Sequence, residues 1–499
     1  KLELENDRLA KIDFYAEIVE TTLGKLIGGG VMPSYPFFIW SIISTYDAAQ
    51  GTNKEITTQG HCYQALLYIY LRNKGVKNED FGDYLNFLTE LAFVIFKNEG
   101  EELSSTQFQD FLDYYTGEFN LTVEIELLLS KIAQTNIFRS NSIGNYEFCY
   151  KYLYYYFTGK YLAENYEANV SEINELLDTL HYNDSAYISI FLSHHTNDDR
   201  LLSKLKIVAD SLFSSFNEAT LSKSELGFFD DQVQLIAEAV LPEANNLPIE
   251  ERRKRIIEKE KLEELAQLEA SRNPEQYDEL NDDFSEVTKE LRRSFKTVEV
   301  LGRIIKNRSG SIKKQELVEI FSFGMNVHLR AMGSFIEIIS NPQSQIEVVD
   351  FISDIIDKKI KEDGIDPGSE DLKRLSKEIF WGANFTILFG FIHKIVHSLG
   401  SKKLLDISEK ATATKETPAA HLVNQGILMW YGKTLRIKEI KDIIDGPEFS
   451  KTAERILKHQ IAEHSKMHQI GFAKLQKLES NLGMSSKRLI SERMKAQNR

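Results

Sequence analysis

The stretch Ile137-Phe138-Arg139-Ser140-Asn141-Ser142-Ile143-Gly144-Asn145-Tyr146-Glu147-Phe148-Cys149-Tyr150, running on into Lys151-Tyr152-Leu153-Tyr154-Tyr155-Tyr156-Phe157, decides how the surrounding sequence is read. The polar turn Ser140–Asn145 contains the Asn and Gly residues that turn conformations need, so Ile137–Arg139 and Tyr146–Tyr150 are expected to pair as a short β-hairpin. A helix over Tyr152–Tyr166 should follow. Helical spacing puts Tyr152, Tyr155 and Tyr156 on one face and turns Tyr154 away, so at least one ring should be exposed or at an interface. Upstream, Phe81–Phe96 carries Tyr84, Leu85, Leu88, Leu91, Ala92 and Ile95 at helical intervals. A second helix should begin near Ser104 or Ser105 and a third near Thr122, since hydroxyl side chains suit N-caps.

Three helices, a hairpin and a closing helix, in that order, match a winged-helix domain over residues 56–166, with the hairpin as the wing. Outward from it the chain reads as all-α. Only 9 Pro and 27 Gly in 499 residues, with 42% hydrophobic and 11% aromatic content, fit long helices and exclude general disorder. A helical domain over 1–55 places Leu9–Leu26 before the loop Gly28-Gly29-Gly30 and Met32-Pro33-Ser34-Tyr35-Pro36. Residues 167–249 read as a domain of short helices, including Ala186–Ser193 and Asp199–Phe216. Residues 250–294 are charge-dense and nearly balanced, as in an exposed helical linker. The C-terminal helical domain, 295–499, is expected to contain Leu317–Ile339, Glu347–Ile360, Leu372–Leu399 and Leu422–Tyr431.

Within it, Ile379–Ile392 is a run of 14 uncharged residues, short of the ~20 that span a bilayer, and is expected as a helix buried all round. The last helix, about Ala453–Leu482, sets Leu457, Ile461, His464, His468, Gly471, Leu475, Leu478 and Leu482 at heptad spacing, as for packing on a partner helix. The chain carries a net charge of −15, but Lys451–Arg499 holds 11 Lys or Arg against 4 Asp or Glu. A basic tail on an acidic body suits an acidic partner or a phosphate backbone, whereas the simpler reading is a solvated helix face. Cys62 and Cys149 stand alone, which fits a reducing, cytoplasmic setting. No membrane partner is expected.

Motifs for catalysis are missing. Gly159-Lys160 is followed by Tyr161, so it lacks both the glycine loop and the hydroxyl of a P-loop. His393 and His397 share a helical face without the Glu of HExxH, and packed histidines are a simpler reading than a metal site. The same holds for His464 and His468. His194-His195 suits a helix C-terminus, and no GxSxG elbow accompanies it. No catalytic residue and no metal ligand is assigned.

At two places the sequence resembles the STAND class of signalling NTPases, which includes the bacterial NACHT-type ATPases. Met32-Pro33-Ser34-Tyr35-Pro36-Phe37-Phe38-Ile39 resembles the proline-bearing helix start that follows the nucleotide-binding domain, where a proline packs near the adenine; Pro36 is the first candidate and Pro33 the second. Tyr146–Leu162 resembles the end of the winged helix, where many members carry a phenylalanine, a histidine two residues later and then an aromatic pair. Phe148 and Tyr156-Phe157 match, while Tyr150 stands where the histidine contacts the β-phosphate of ADP. The resemblance covers about residues 10–165, and residues 166–340 resemble the helical region that follows in some bacterial members.

The resemblance implies ATP or ADP with Mg as cofactor, bound mainly by a P-loop domain upstream of Lys1, where the chain is expected to continue into an effector. It implies a regulatory and sensor role in anti-phage defence, a homo-oligomer, and a protein trigger or other ligand on the C-terminal helices. A helical scaffold or adaptor without nucleotide control is the alternative. A nucleic-acid-binding winged helix, with the basic tail 451–499 contributing, and an unrecognised enzyme are further readings.

Overall fold

The computed structural model describes residues 64, 67–68, 70–98, 102–135, 137–196, 199–241, 285–362, 369–468 and 470–486. The chain is all-α, and its described residues include one small antiparallel sheet in the first compact unit and a two-residue strand pair in the second. The described residues up to Lys204 form one compact unit, and those from Leu205 onward form another.

In the first unit, α1 (Phe81–Lys97) buries Tyr84, Phe87, Leu88, Leu91, Ala92 and Ile95. Phe87, rather than the expected Leu85, completes the stripe, because it meets Phe111 and Tyr115 edge-on at 5.3 and 5.1 Å. Strand β1 (Glu102–Leu103) then precedes α2 (Ser105–Glu118). Ser104 caps α2 through a full capping box: its hydroxyl accepts from Gln107 N at 3.3 Å, and Gln107 Oε1 accepts from Ser104 N at 2.9 Å. Helix α3 (Ile125–Gln134) starts later than Thr122. Thr122 instead gives its N–H, at 3.0 Å, and its hydroxyl to the Asp83 carboxylate on α1.

The hairpin forms as expected from β2 (Phe138–Ser140) and β3 (Tyr146–Phe148), with Phe138 opposite Phe148 and Ser140 opposite Tyr146. Strand β1 adds to the far edge of β3, giving the order β1-β3-β2. Helix α4 (Lys151–Glu164) closes the pattern and is followed by α5 (Val170–Asp178) and α6 (Asn183–His195). Tyr154, expected to face away, is 9% exposed. The reason is that α4 lies between α1 and α6, so most of its circumference is core. At the α4–α6 crossing a Cβ on Gly159 would lie 2.7 Å from Leu192 N. Only a glycine lets these helices approach so closely.

The chain continues through α7 (Asp199–Ser211), α8 (Lys223–Asp230) and β4 (Val240–Leu241). The second unit's long helices are α9 (Glu286–Asn307), α10 (Lys314–Ser340), α11 (Pro342–Glu362) and α12 (Ser369–Leu399). Helix α12 packs against α9, α10 and α11, and also against α14 (Pro418–Trp430), which follows α13 (Leu405–Ala413). A Cβ on Gly302 would overlap the Ser398 carbonyl, so α9 and α12 also cross at a glycine.

The run Ile379–Ile392 is helical but not buried all round. Phe380, Trp381, Phe385, Leu388, Phe391 and Ile392 are buried, whereas Ile379 and Ile387 are each 43% exposed. The neighbouring helices cover one broad side of α12 and leave an uncharged outer strip. Residues Glu370–Leu399 are long and apolar enough by composition to cross a membrane, and half of their most apolar window is buried in the protein.

The last expected helix is two helices. After α15 (Ile437–Ile444), α16 (Lys451–Met467) ends where His468 turns extended, and α17 (Phe472–Leu482) restarts after Gly471. Leu457, Ile461, Leu475, Leu478 and Leu482 are all buried, so the heptad pattern reports two successive apolar faces rather than one rod. Asp230 on α8 caps α16, accepting from Lys451 N and Thr452 N at 2.9 Å each. Finally β5 (Ser485–Ser486) pairs parallel with β4.

Candidate functional site

The site follows from how the wing is held. Its turn closes on Asn141, whose Oδ1 accepts from Ile143 N at 3.1 Å and Asn145 N at 3.0 Å, with Gly144 at φ +86°. Both Asn141 and Asn145 donate their amides to the Glu102 carboxylate on β1 at 2.6 Å, and Ser105 Oγ donates to the Gly144 carbonyl at 2.8 Å. The tip is thus tied to β1 and the start of α2. On the other face Phe108 stacks on Tyr146 at 4.0 Å and tilts against Phe138 at 5.6 Å. The wing is fixed from both faces.

Across the β2–β3 pair Arg139 bonds Glu147 at 2.8 Å. Cys149 N donates to the Ile137 carbonyl at 2.9 Å, ending the ladder, and burial pushes the Cys149 thiol up. The next residue, Tyr150, stays extended (φ −134°, ψ 118°) and is the N-cap of α4. It makes no side-chain capping bond, and no acidic residue lies in the first turn of that helix. A helix N-terminus is the positive end of the helix dipole, which favours a negative ligand.

Tyr150 is half-buried. Its neighbours are charged or polar: the Tyr70 phenol is raised by its own burial and then by the nearness of Tyr150, and Tyr150 also lies within electrostatic reach of Arg139. Tyr150 can donate one hydrogen bond to an anionic oxygen, while the Arg139 guanidinium is already paired with Glu147. Of the three residues assigned from sequence, Tyr150 is placed here, whereas Pro33 and Pro36 lie outside the described residues. Tyr70 and Arg139 were not singled out from sequence. They reach Tyr150 from 80 and 11 positions away, with no local pattern to announce it.

Most of the aromatic run after Tyr150 is core. Tyr156 is 1% exposed and meets Phe191 edge-on at 5.8 Å, and Tyr155 stacks with Tyr187 at 5.5 Å while its hydroxyl donates to Asp184. His194 and His195 lie in the last turn of α6, as their dipole preference implied. His393 and His397 stack 4.0 Å apart against Trp430, which lies 4.2 Å from His397. Burial, then the neighbouring His393, Lys306 and Lys394, hold the His397 imidazole down at about 2. It is neutral at any working pH.

Residues 101–158 match the family described as Novel STAND NTPase 4. The matched segment runs from β1 through the wing to the second turn of α4 and so includes Tyr150. This associates the chain with STAND-type NTPases. No curated protein and no solved structure matches the chain.

Proposed function

We propose that the chain is the regulatory and sensor portion of a STAND-type, nucleotide-dependent switch of the bacterial NACHT kind, acting in the cytoplasm in defence against phage. The observation that carries this reading is the coincidence of the family match with the wing and the Tyr150 helix start. ATP or ADP with Mg would be held mainly by a P-loop domain outside this sequence, with Pro36 or Pro33 near the adenine and Tyr150 nearer the phosphates. In the ADP-bound state the wing packs on the nucleotide-binding domain and keeps it closed. A protein trigger or other ligand captured by the C-terminal helices favours the open state, which assembles into a homo-oligomer and releases an upstream effector. The basic tail 451–499 offers a further contact to nucleic acid.

Such a switch works only if ADP and the trigger prefer different conformations. The test uses the protein that carries this chain together with its nucleotide-binding domain. Nucleotide released on denaturation is identified by chromatography, and mass in solution is followed by light scattering. ADP in the resting protein, with growth in mass on adding ATP and trigger, supports the reading. A protein that binds neither nucleotide leaves the scaffold reading in its place.

A further inference from the structure

The break between α16 and α17 opens a cavity of about 200 Å³ in the second unit, and its walls are cationic. Lys433, Lys474, His464 and His468 line it together with Gly471, over a floor that includes Leu435. Among the described residues, no acidic one does. His464, His468 and Lys474 belong to the segment Lys451–Arg499, where basic residues outnumber acidic ones 11 to 4, and Lys433 joins them from the turn after α14. Neither Lys433 nor Lys474 forms an ion pair among the described residues, and Lys433 is held at φ +52° in the turn after α14.

Two further features point inward. Gly471 is the N-cap of α17, an 11-residue helix, and provides no side chain to bond the first N–H groups, while no acidic residue lies in the first turn. His464 is 4% exposed, and its Nδ1 lies 2.9 Å from the Met429 carbonyl. A carbonyl only accepts, so Nδ1 carries the proton and Nε2 is the bare nitrogen. Nε2 has no hydrogen-bond partner among the described residues, on a ring that forms part of the cavity wall. Burial, His468 and then Lys474 hold the His464 imidazole down at about 4, although its bond to Met429 opposes them.

We propose that this cavity binds a small phosphate oxyanion that still carries one proton. Lys433, Lys474 and the α17 amides bond its unprotonated oxygens, and the bare His464 Nε2 accepts from its P–OH. The volume suits phosphate or pyrophosphate. A whole nucleotide needs more, since sites for drug-sized ligands run to about 300–1,000 Å³. The P–OH contact makes the site selective, because sulfate matches phosphate in shape but has no proton to donate at neutral pH.

The experiment titrates inorganic phosphate, pyrophosphate and sulfate into the full chain at pH 7 by calorimetry, and follows the His464 ring nitrogens by NMR. Saturable phosphate binding, sulfate at least about tenfold weaker, and a shift at His464 Nε2 are expected. Lys433→Met and Lys474→Met, both at exposed positions, should each weaken phosphate about tenfold with an unchanged melting temperature. Binding of phosphate and sulfate with equal strength, binding unchanged in the double lysine variant, or no phosphate binding would each overturn the proposal.

Discussion

Replacing Gly159 with alanine tests the packing that positions the wing helix. A Cβ at this position would lie 2.7 Å from Leu192 N, 2.8 Å from Phe191 Cβ and 3.0 Å from Phe191 C. Two of these three are backbone atoms of α6, so no side-chain rotation relieves the overlap. The helices must separate by about an ångström, which forfeits part of the dispersion contact along the crossing. Overpacking of this kind costs about 1–3 kcal/mol, and the better helix propensity of alanine returns at most about 1 kcal/mol. The expected net loss is about 1–2 kcal/mol. It is read from native-state hydrogen exchange of α4 and α6 amides, as a rise of about 5–30-fold in their opening constants. Gly390→Ala on α12 is the control, because nothing lies within 4 Å of a Cβ there and a gain of about 0.5–1 kcal/mol is expected. Equal protection in Gly159→Ala and the parent would refute the close crossing.

Three further outcomes follow from named groups. Ser104→Ala removes one half of the capping box and should lower the stability of the first unit by about 1 kcal/mol in urea unfolding. Glu299 is near Arg303 at 3.2 Å and near Lys296 and Lys394 at 3.9 Å. Burial raises its carboxyl, but the three cations outweigh burial and hold it at about 2, so Glu299→Gln, which removes the charge shared by all three, should cost about 2–4 kcal/mol. His328 is fully buried between Phe295 and Phe391 with neither ring nitrogen bonded, and burial, then Lys394, lowers it to about 3. Between about 3 and 6.5 the unfolded chain therefore binds this proton and the folded chain does not. This group leaves the stability of the second unit independent of pH above about 6.5 and lowers it by up to about 1.4 kcal/mol per pH unit as pH falls toward 3; His328→Leu should remove that contribution to the slope in urea titrations at pH 4–6.

What the sequence announced was local. Ser104 and Gln107 state their cap through spacing alone, and the Asn141–Asn145 turn declares the hairpin. Strand β1, at two residues, is too short to alternate, and it exists because Glu102 binds the wing tip. Thr122 carries the chemistry of a cap but is claimed by Asp83, 39 positions away. Tyr154 is buried because α4 packs against both α1 and α6, which helical spacing within α4 does not contain. The α16–α17 break was hidden because heptad positions continue in step across His468–Gly471 while the backbone leaves the helix. Tyr150 was legible only through resemblance to a family, and its neighbours Tyr70 and Arg139 emerge only once the chain is folded.

The role of Tyr150 in nucleotide retention tests the switch most directly. In the protein that carries this chain and its nucleotide-binding domain, the rate of ADP loss and the self-association would be measured for Tyr150→Phe and Tyr150→Ala. Removing one phenol hydrogen bond to a phosphate oxygen should weaken ADP retention by about 0.5–1.5 kcal/mol in the Phe variant, and by more in the Ala variant, with assembly occurring at lower trigger concentration. If both variants hold ADP and assemble as the parent does, Tyr150 is a packing residue of the wing and the wing does not sense nucleotide through it.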